Sequence, residues 1–422
     1  MKYSGIEWIG NVPENWKIER LQWYLSEIKE SNDPIKTTQI LSLTNKLGVI
    51  PYETKGEQGN KAKENLSEYK LAYPNTIVAN SMNVLIGSVG KCNYFGCVSP
   101  VYYVLKPNEK CDIDFVNYLF QTTQFQKELR RYANGILEIR LRVSADDILK
   151  RPIAIPSLQK QKQIANLLNE KIMEIEELIA NEKKQIETLR EFQFLKIQEV
   201  IKKGINKYSF IKANVDWIGE MPSDWKLIKV KYVTSISRGL FNHRPRNDSR
   251  LYDGIYPFIQ TGDVARANKY ITSYSQTLNE LGISVSKKFP KGTLTMTIAA
   301  NVGDVSILSF DAYFPDSVVG FTPLDENNSE YLYYLFRAMK NEFIRASIVS
   351  TQLNLNLERI KEMYIPFTFN LDEQRAIANY LNEKCSEIDS LIAAKEEKIQ
   401  IIEEYKKSLV YEYITGKKEA IA

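Results

Sequence analysis

The chain has 422 residues, 44% of them hydrophobic and 26% charged, with a formal net charge of +4. That is length for two domains of ordinary size and a soluble globular composition; no apolar run approaches the ~20 residues that cross a bilayer, so no membrane partner is expected. Four cysteines and the single His243 are too few for a disulfide framework or a closed zinc site, and no metal is expected.

The first expected element is a module over residues 1–156. It opens on EWIGNVPENWK, where Trp8 and Trp16 flank Pro13. Short runs rich in Val, Ile and Thr follow, such as TIVANSMNVLIGSVG, broken by Gly, Asn and Pro. They predict short strands. One helical stretch comes late, FVNYLFQTTQFQKELRRYA. Residues 157–204 then carry no Gly or Pro before Gly204, and apolar residues alternate four and three apart. Leu168, Ile172, Ile175 and Ile179 lead to Glu182, Ile186 and Leu189. This is a coiled-coil seam with charge on the other faces.

The pattern then starts again. DWIGEMPSDWK brings Trp217 and Trp225 around Pro222, opening a second module over residues 205–366. Its strand-like runs include TLTMTIAANVGDVSIL, and its helical stretch is EYLYYLFRAMKNEFIRA. Asn370 to Glu373 form a helix entry to residues 367–416, which end at Gly416 before a tail over 417–422. The second seam runs through Leu381, Cys385, Ile388, Ile392, Lys395, Ile399 and Ile402. QKQIANLLNEK, beginning at Gln161, returns as QRAIANYLNEK, beginning at Gln374, each after an Ile-Pro pair. So large a period is a tandem domain duplication rather than a solenoid. A helix of about 40 residues at ~1.5 Å per residue is about 60 Å long. Neither seam is stable in water alone, and the 3.5-residue period fits a helix partner better than a sheet. An antiparallel pair is expected, with the equivalent charges Glu182 and Lys395 meeting near its centre.

Several clusters suit a polyanion. RGLFNHRPRNDSR holds Arg238, Arg244, Arg246 and Arg250, and RRYANGILEIRLR holds Arg130, Arg131, Arg140 and Arg142. Arginine contacts phosphates and pairs bidentately with guanine; the competing reading is solvated surface charge. Asn80, Asn83, Lys91 and Asn301 lie at glycine-bearing strand turns, where amides read adenine edges or simply shape the turn. Gln352 and Asn354 in STQLNLN are candidate base readers, and Gln260 in FIQTGDV is a further candidate with a turn-shaping alternative. The four repeated Trp residues are read as packing between module and helix.

The repeated WIG-x-x-P-x-x-W opening, α/β module and Gln-x-x-Ile-Ala-x-x-Leu helix resemble the specificity subunit of type I restriction–modification enzymes over essentially the whole chain. The resemblance implies two mixed α+β target recognition domains, each reading half of a bipartite site in double-stranded DNA. It implies two long helices in an antiparallel coiled coil that sets the gap. It also implies docking of two methyltransferase subunits, which carry S-adenosylmethionine, and of translocase/nuclease subunits. No cofactor is expected in this chain. The opening MKYSGIEWIG lacks a signal-peptide core, so a cytoplasmic location is expected.

No catalytic constellation is legible, and the chain is read as non-catalytic. A Gly-rich dinucleotide fingerprint, an ATP-binding loop and an aminomethyltransferase [DN]-P-P-[YF] motif are missing. Glu53-x-Lys55 and Glu68-x-Lys70 resemble the tail of a nuclease motif but lack a preceding Pro-Asp, and Pro315-Asp316 comes too late. The alternatives are a coiled-coil scaffold, a DNA-binding protein outside restriction–modification, and a standalone nuclease or methyltransferase.

Overall fold

Runs of Val, Ile and Thr become the inner strands of antiparallel sheets, as their stiff branched side chains favour. The computed structural model describes residues 1–44, 47–55, 65–134, 141–206, 209–299, 301–324, 327–349 and 353–419. It divides into two compact units, Met1–Glu182 with Glu396–Ala422, and Lys183–Lys395.

In the first unit the central sheet is built from β1 (Leu25–Ile28), β2 (Thr76–Asn80), β3 (Val89–Cys92) and β4 (Tyr102–Pro107), in the order β1-β4-β2-β3. All neighbours are antiparallel, with Val104 opposite both Ile28 and Val78. Helix α1 (Ile113–Gln121) buries Phe115, Val116, Leu119 and Phe120, and Asp112 caps it through the Phe115 amide. Helix α2 (Thr123–Arg130) follows at once. The sequence suggested one helix here. Thr122 breaks it by taking extended backbone and bonding its hydroxyl to the Leu119 carbonyl at 2.7 Å. A short antiparallel pair, Lys17–Arg20 with Pro152–Ile155, closes the module. Helix α3 (Leu158–Lys203) then runs for 46 residues.

The second unit repeats the plan. Its sheet is built from β5 (Thr234–Arg238), β6 (Leu294–Thr297), β7 (Val305–Leu308) and β8 (Val318–Pro323), ordered β5-β8-β6-β7, with Tyr270–Ile271 as an edge strand beside β7. A second sheet carries Tyr252–Phe258. Helices α4 (Ser329–Ala338) and α5 (Lys340–Ala346) again replace one expected helix, here parting at Met339. Lys226–Lys229 pairs with Tyr364–Phe367 to close the module. Helix α6 (Leu371–Ile414) has 44 residues, and Asn370 Oδ1 caps it through the amides of Asp372 and Glu373 at 3.0 and 3.3 Å. Gly204 and Gly416, at φ +69° and +70°, end the two long helices in the left-handed conformation glycine takes most easily.

The boundary between units falls inside α3 and inside α6, so each unit holds part of both helices. In the first unit Glu176 meets Lys406 and Glu182 meets Lys398, both at 2.6 Å. Numbers rise on one helix as they fall on the other, so the two run antiparallel. In the second unit Gln193 donates to Asp389 at 2.8 Å, and Lys395 donates to Gln185. The seam forms as the spacing requires. Leu168, Ile175, Ile179, Glu182, Ile186, Leu381, Cys385, Ile388, Ile392 and Ile399 are buried, and Ile172, Leu189, Lys395 and Ile402 are half-buried. Each large apolar residue so placed contributes ~1.5–3 kcal/mol. Near the centre, Glu182 pairs with Lys398 and Lys395 donates to Gln185. Toward one end, Ile197, Val200 and Ile201 of α3 and Ile377, Ala378 and Leu381 of α6 join the second module's core. The long helices therefore pack on each other in the middle and on a module at the ends.

One buried glutamine at each helix start locks helix to module. Gln161 Oε1 accepts from the Asp112 amide at 2.8 Å, and its Nε2 donates to the carbonyls of Lys110 and Pro156. Gln374 Oε1 accepts from the Asn328 amide at 2.8 Å, and its Nε2 donates to Asn327 and the Thr368 carbonyl. Asp112 and Asn328 are the caps of α1 and α4. The repeated Gln-x-x-Ile-Ala motif is thus a structural clamp.

Candidate DNA interface

The end of β5 and the loop after it carry four arginines, three of which bond to Asp248 or Asp316. Arg246 Nη2 donates to both carboxylate oxygens of Asp316 at 2.7 Å, and Arg238 Nε to the Asp316 carbonyl. Arg250 meets Asp248 at 2.7 Å, with His243 Nε2 2.9 Å from the same carboxylate. Hydrogen bonds from the Arg250 side chain and amide, with His243, hold the Asp248 carboxyl well below the usual carboxylate range. Arg244 donates to the Phe241 and His243 carbonyls at 3.0 and 2.8 Å. All four arginines are exposed. Exposed pairs of this kind are worth only ~0–1 kcal/mol, so they would cost an anionic ligand little to displace. The sequence did not show Asp316 as a partner of Arg246, because the two lie 70 residues apart.

In the first module Arg131 meets Glu128 at 3.2 Å and Glu7 at 3.3 Å. Arg130 is exposed in the last turn of α2. Arg142 is exposed, and its backbone bridges Asn134. Arg151, which sequence reasoning passed over, stacks 3.4 Å above the Tyr132 ring centroid. Arg140 lies outside the described residues.

The strand-turn candidates divide by exposure. Asn80 is buried, and its Oδ1 accepts from the Met82 amide at 3.1 Å. Lys91 meets Asp114 at 2.9 Å. Asn83 and Asn301 are exposed. Gln260 accepts the turn-shaping role: its amide donates to Asp263 at 2.8 Å and its Nε2 to Gln276 at 2.9 Å. Gln352 lies outside the described residues, and Asn354 is described only as backbone in the strand Leu353–Asn354, paired with Ile348–Val349.

The tryptophans pack. Trp16 is buried with its ring 6.3 Å from Phe115, and Trp8 lies 5.4 Å from Phe125. Trp225 Nε1 donates to Glu373 of α6 at 3.1 Å, and Trp217 Nε1 to the Tyr364 carbonyl at 3.2 Å. In the first unit Tyr411 of α6 donates to the Trp8 carbonyl at 3.0 Å. Each motif pins its module near a long helix.

The family model for the type I restriction modification DNA specificity domain matches this chain twice, over residues 13–188 and 222–404. The chain belongs to that family. As a specificity subunit it contributes DNA recognition rather than catalysis. It is 26% identical to the putative type I restriction enzyme MjaX specificity subunit of Methanocaldococcus jannaschii, over 97% of this chain and 95% of the relative. The MjaVIII specificity subunit of the same organism is 23% identical over 96% and 93%. In fold the chain resembles a component of a type I R-M system solved for its complex assembly and conformational transition, with TM-score 0.72, 14% identity and 96% and 98% coverage. HsdS from Thermoanaerobacter tengcongensis gives a TM-score of 0.51 at 14% identity, over 97% and 98%. Among the described residues no helix is long and apolar enough to cross a membrane, and no cluster of His, Cys, Asp and Glu is arranged to hold a metal ion.

Proposed function

We propose that each module reads one half of a bipartite site in double-stranded DNA, and that the paired helices set the unread interval. Methyltransferase subunits carrying S-adenosylmethionine dock on this chain in pairs, translocase/nuclease subunits join them, and the complex works in the cytoplasm. The observation that carries the reading is the duplication itself. The two modules share strand order, closing pair and glutamine clamp. They differ in the loops that hold their arginines. A common frame with different exposed loops suits two readers of different sequences.

Helix length supplies the test. Seven residues inserted into each long helix at the same seam level preserve the heptad and add about 10.5 Å. At ~3.4 Å per base pair that is about three base pairs. A methylation assay on duplexes of graded spacer should show the optimum lengthened by about that amount, with unchanged half-sites. An unmoved spacer optimum overturns the proposal.

A further inference from the structure

Outside the clamp and the arginine loops, a polar cluster in the second unit surrounds Lys269, just before the edge strand Tyr270–Ile271. Its ammonium lies 2.6 Å from Glu330 Oε1 at the start of α4 and 2.6 Å from Asn382 Oδ1 on α6. Asn382 Nδ2 donates to Glu330 at 2.7 Å, and the Tyr334 hydroxyl to Asn382 at 2.8 Å. The Tyr270 hydroxyl also donates to Glu330. The rings of Tyr270 and Tyr334 lie 5.2 and 5.6 Å from the ammonium, within cation–π range. Burial pushes the Glu330 carboxyl up, but the bonds from Lys269, Tyr270 and Asn382 outweigh it and hold the group below its usual range.

A second attachment lies about two helical turns along the same face of α6. Asp389 accepts from Asn268 at 3.3 Å and from Gln193 of α3 at 2.8 Å, and the Tyr333 hydroxyl donates to the Asn268 carbonyl at 2.8 Å. Two fixed points on one helix face constrain rotation as well as position. The first module keeps one of these contacts and changes the other. Asn169, the counterpart of Asn382, accepts from Tyr118, the counterpart of Tyr334, at 2.6 Å, whereas Glu176, the counterpart of Asp389, meets Lys406 of the other long helix.

We infer that Lys269 is a positioning residue, which with Asn268 keys the second module to α6 at two points and so sets the register of the second half-site. The inference rests on the bipartite reading above. The test is a methylation assay with the assembled complex on duplexes whose spacer is the preferred length or one base pair longer or shorter. Lys269→Ala should reduce discrimination against the wrong spacers about tenfold, because a site displaced by ~1 Å already costs about 100-fold where alignment is rigid. Preference for the half-site sequences should not change. Asn268→Ala, a milder change at the second attachment, should move the same readout if Lys269→Ala does not fold. A folded variant with undiminished spacer discrimination overturns the inference. A wild-type complex indifferent to spacer length overturns the bipartite reading instead.

Discussion

Replacing Gln374 by leucine should loosen the second unit and leave the first intact. The side chain is fully buried, and it satisfies the Asn328 amide, the Thr368 carbonyl and Asn327 Oδ1. Leucine meets none of these needs. Each stranded buried group costs ~1–3 kcal/mol, about 3–9 kcal/mol together. The added apolar burial returns about 1 kcal/mol. The net loss is roughly 2–8 kcal/mol. Native-state hydrogen exchange on the full chain separates the units without assuming two-state unfolding. Protection of the first turns of α4 and α6 should fall by that amount, while α1 and the start of α3 keep theirs. Gln161→Leu should give the mirror result. A loss below about 0.5 kcal/mol, or one spread evenly over both units, would refute the clamp, since surface substitutions alone give that much.

Lys398→Ala removes the ammonium 2.6 Å from buried Glu182 and should cost about 1–2 kcal/mol by denaturant unfolding, whereas Glu182→Leu should stay within about 1 kcal/mol of wild type or exceed it. Gly416→Ala should destabilise the first unit by roughly 1–2 kcal/mol and red-shift Trp16 emission, because a Cβ there lies 2.5 Å from Pro13 Cδ at a φ of +70°. Burial pushes the Cys111 thiol up to about 12, so at pH 8 it should resist iodoacetamide in the native chain and react after denaturation, as read by mass spectrometry. Arg244→Ala and Arg246→Ala should each lower the log–log salt slope of DNA binding by about 1 if they hold phosphates.

Much of the frame was legible because it is written twice. The repeated Trp, Ile-Pro and Gln-x-x-Ile-Ala signals gave the duplication, and the absence of Gly and Pro up to Gly204 and Gly416 gave the long helices. Their seam followed from the four-and-three spacing. The particular pairs Glu182 with Lys398 and Gln185 with Lys395 did not: spacing fixes a face, while the axial offset depends on how the helix ends seat on the modules. The breaks at Thr122 and Met339 were hidden because neither is a Gly or Pro and apolar residues recur on both sides of each. The pairing roles of Asp316 and Lys269 were invisible for another reason. Their partners, Arg246 and Asn382, come from distant parts of the chain, and isolated charges carry no local pattern.

The most direct test of the central claim is a map of methylated bases in cells that express this chain with its methyltransferase partners, compared with cells lacking it. Two short sequences at one fixed interval, both required and both lost with the chain, are what a duplicated reader on a rigid helix pair must produce. A single uninterrupted motif, or two motifs at variable spacing, would contradict it.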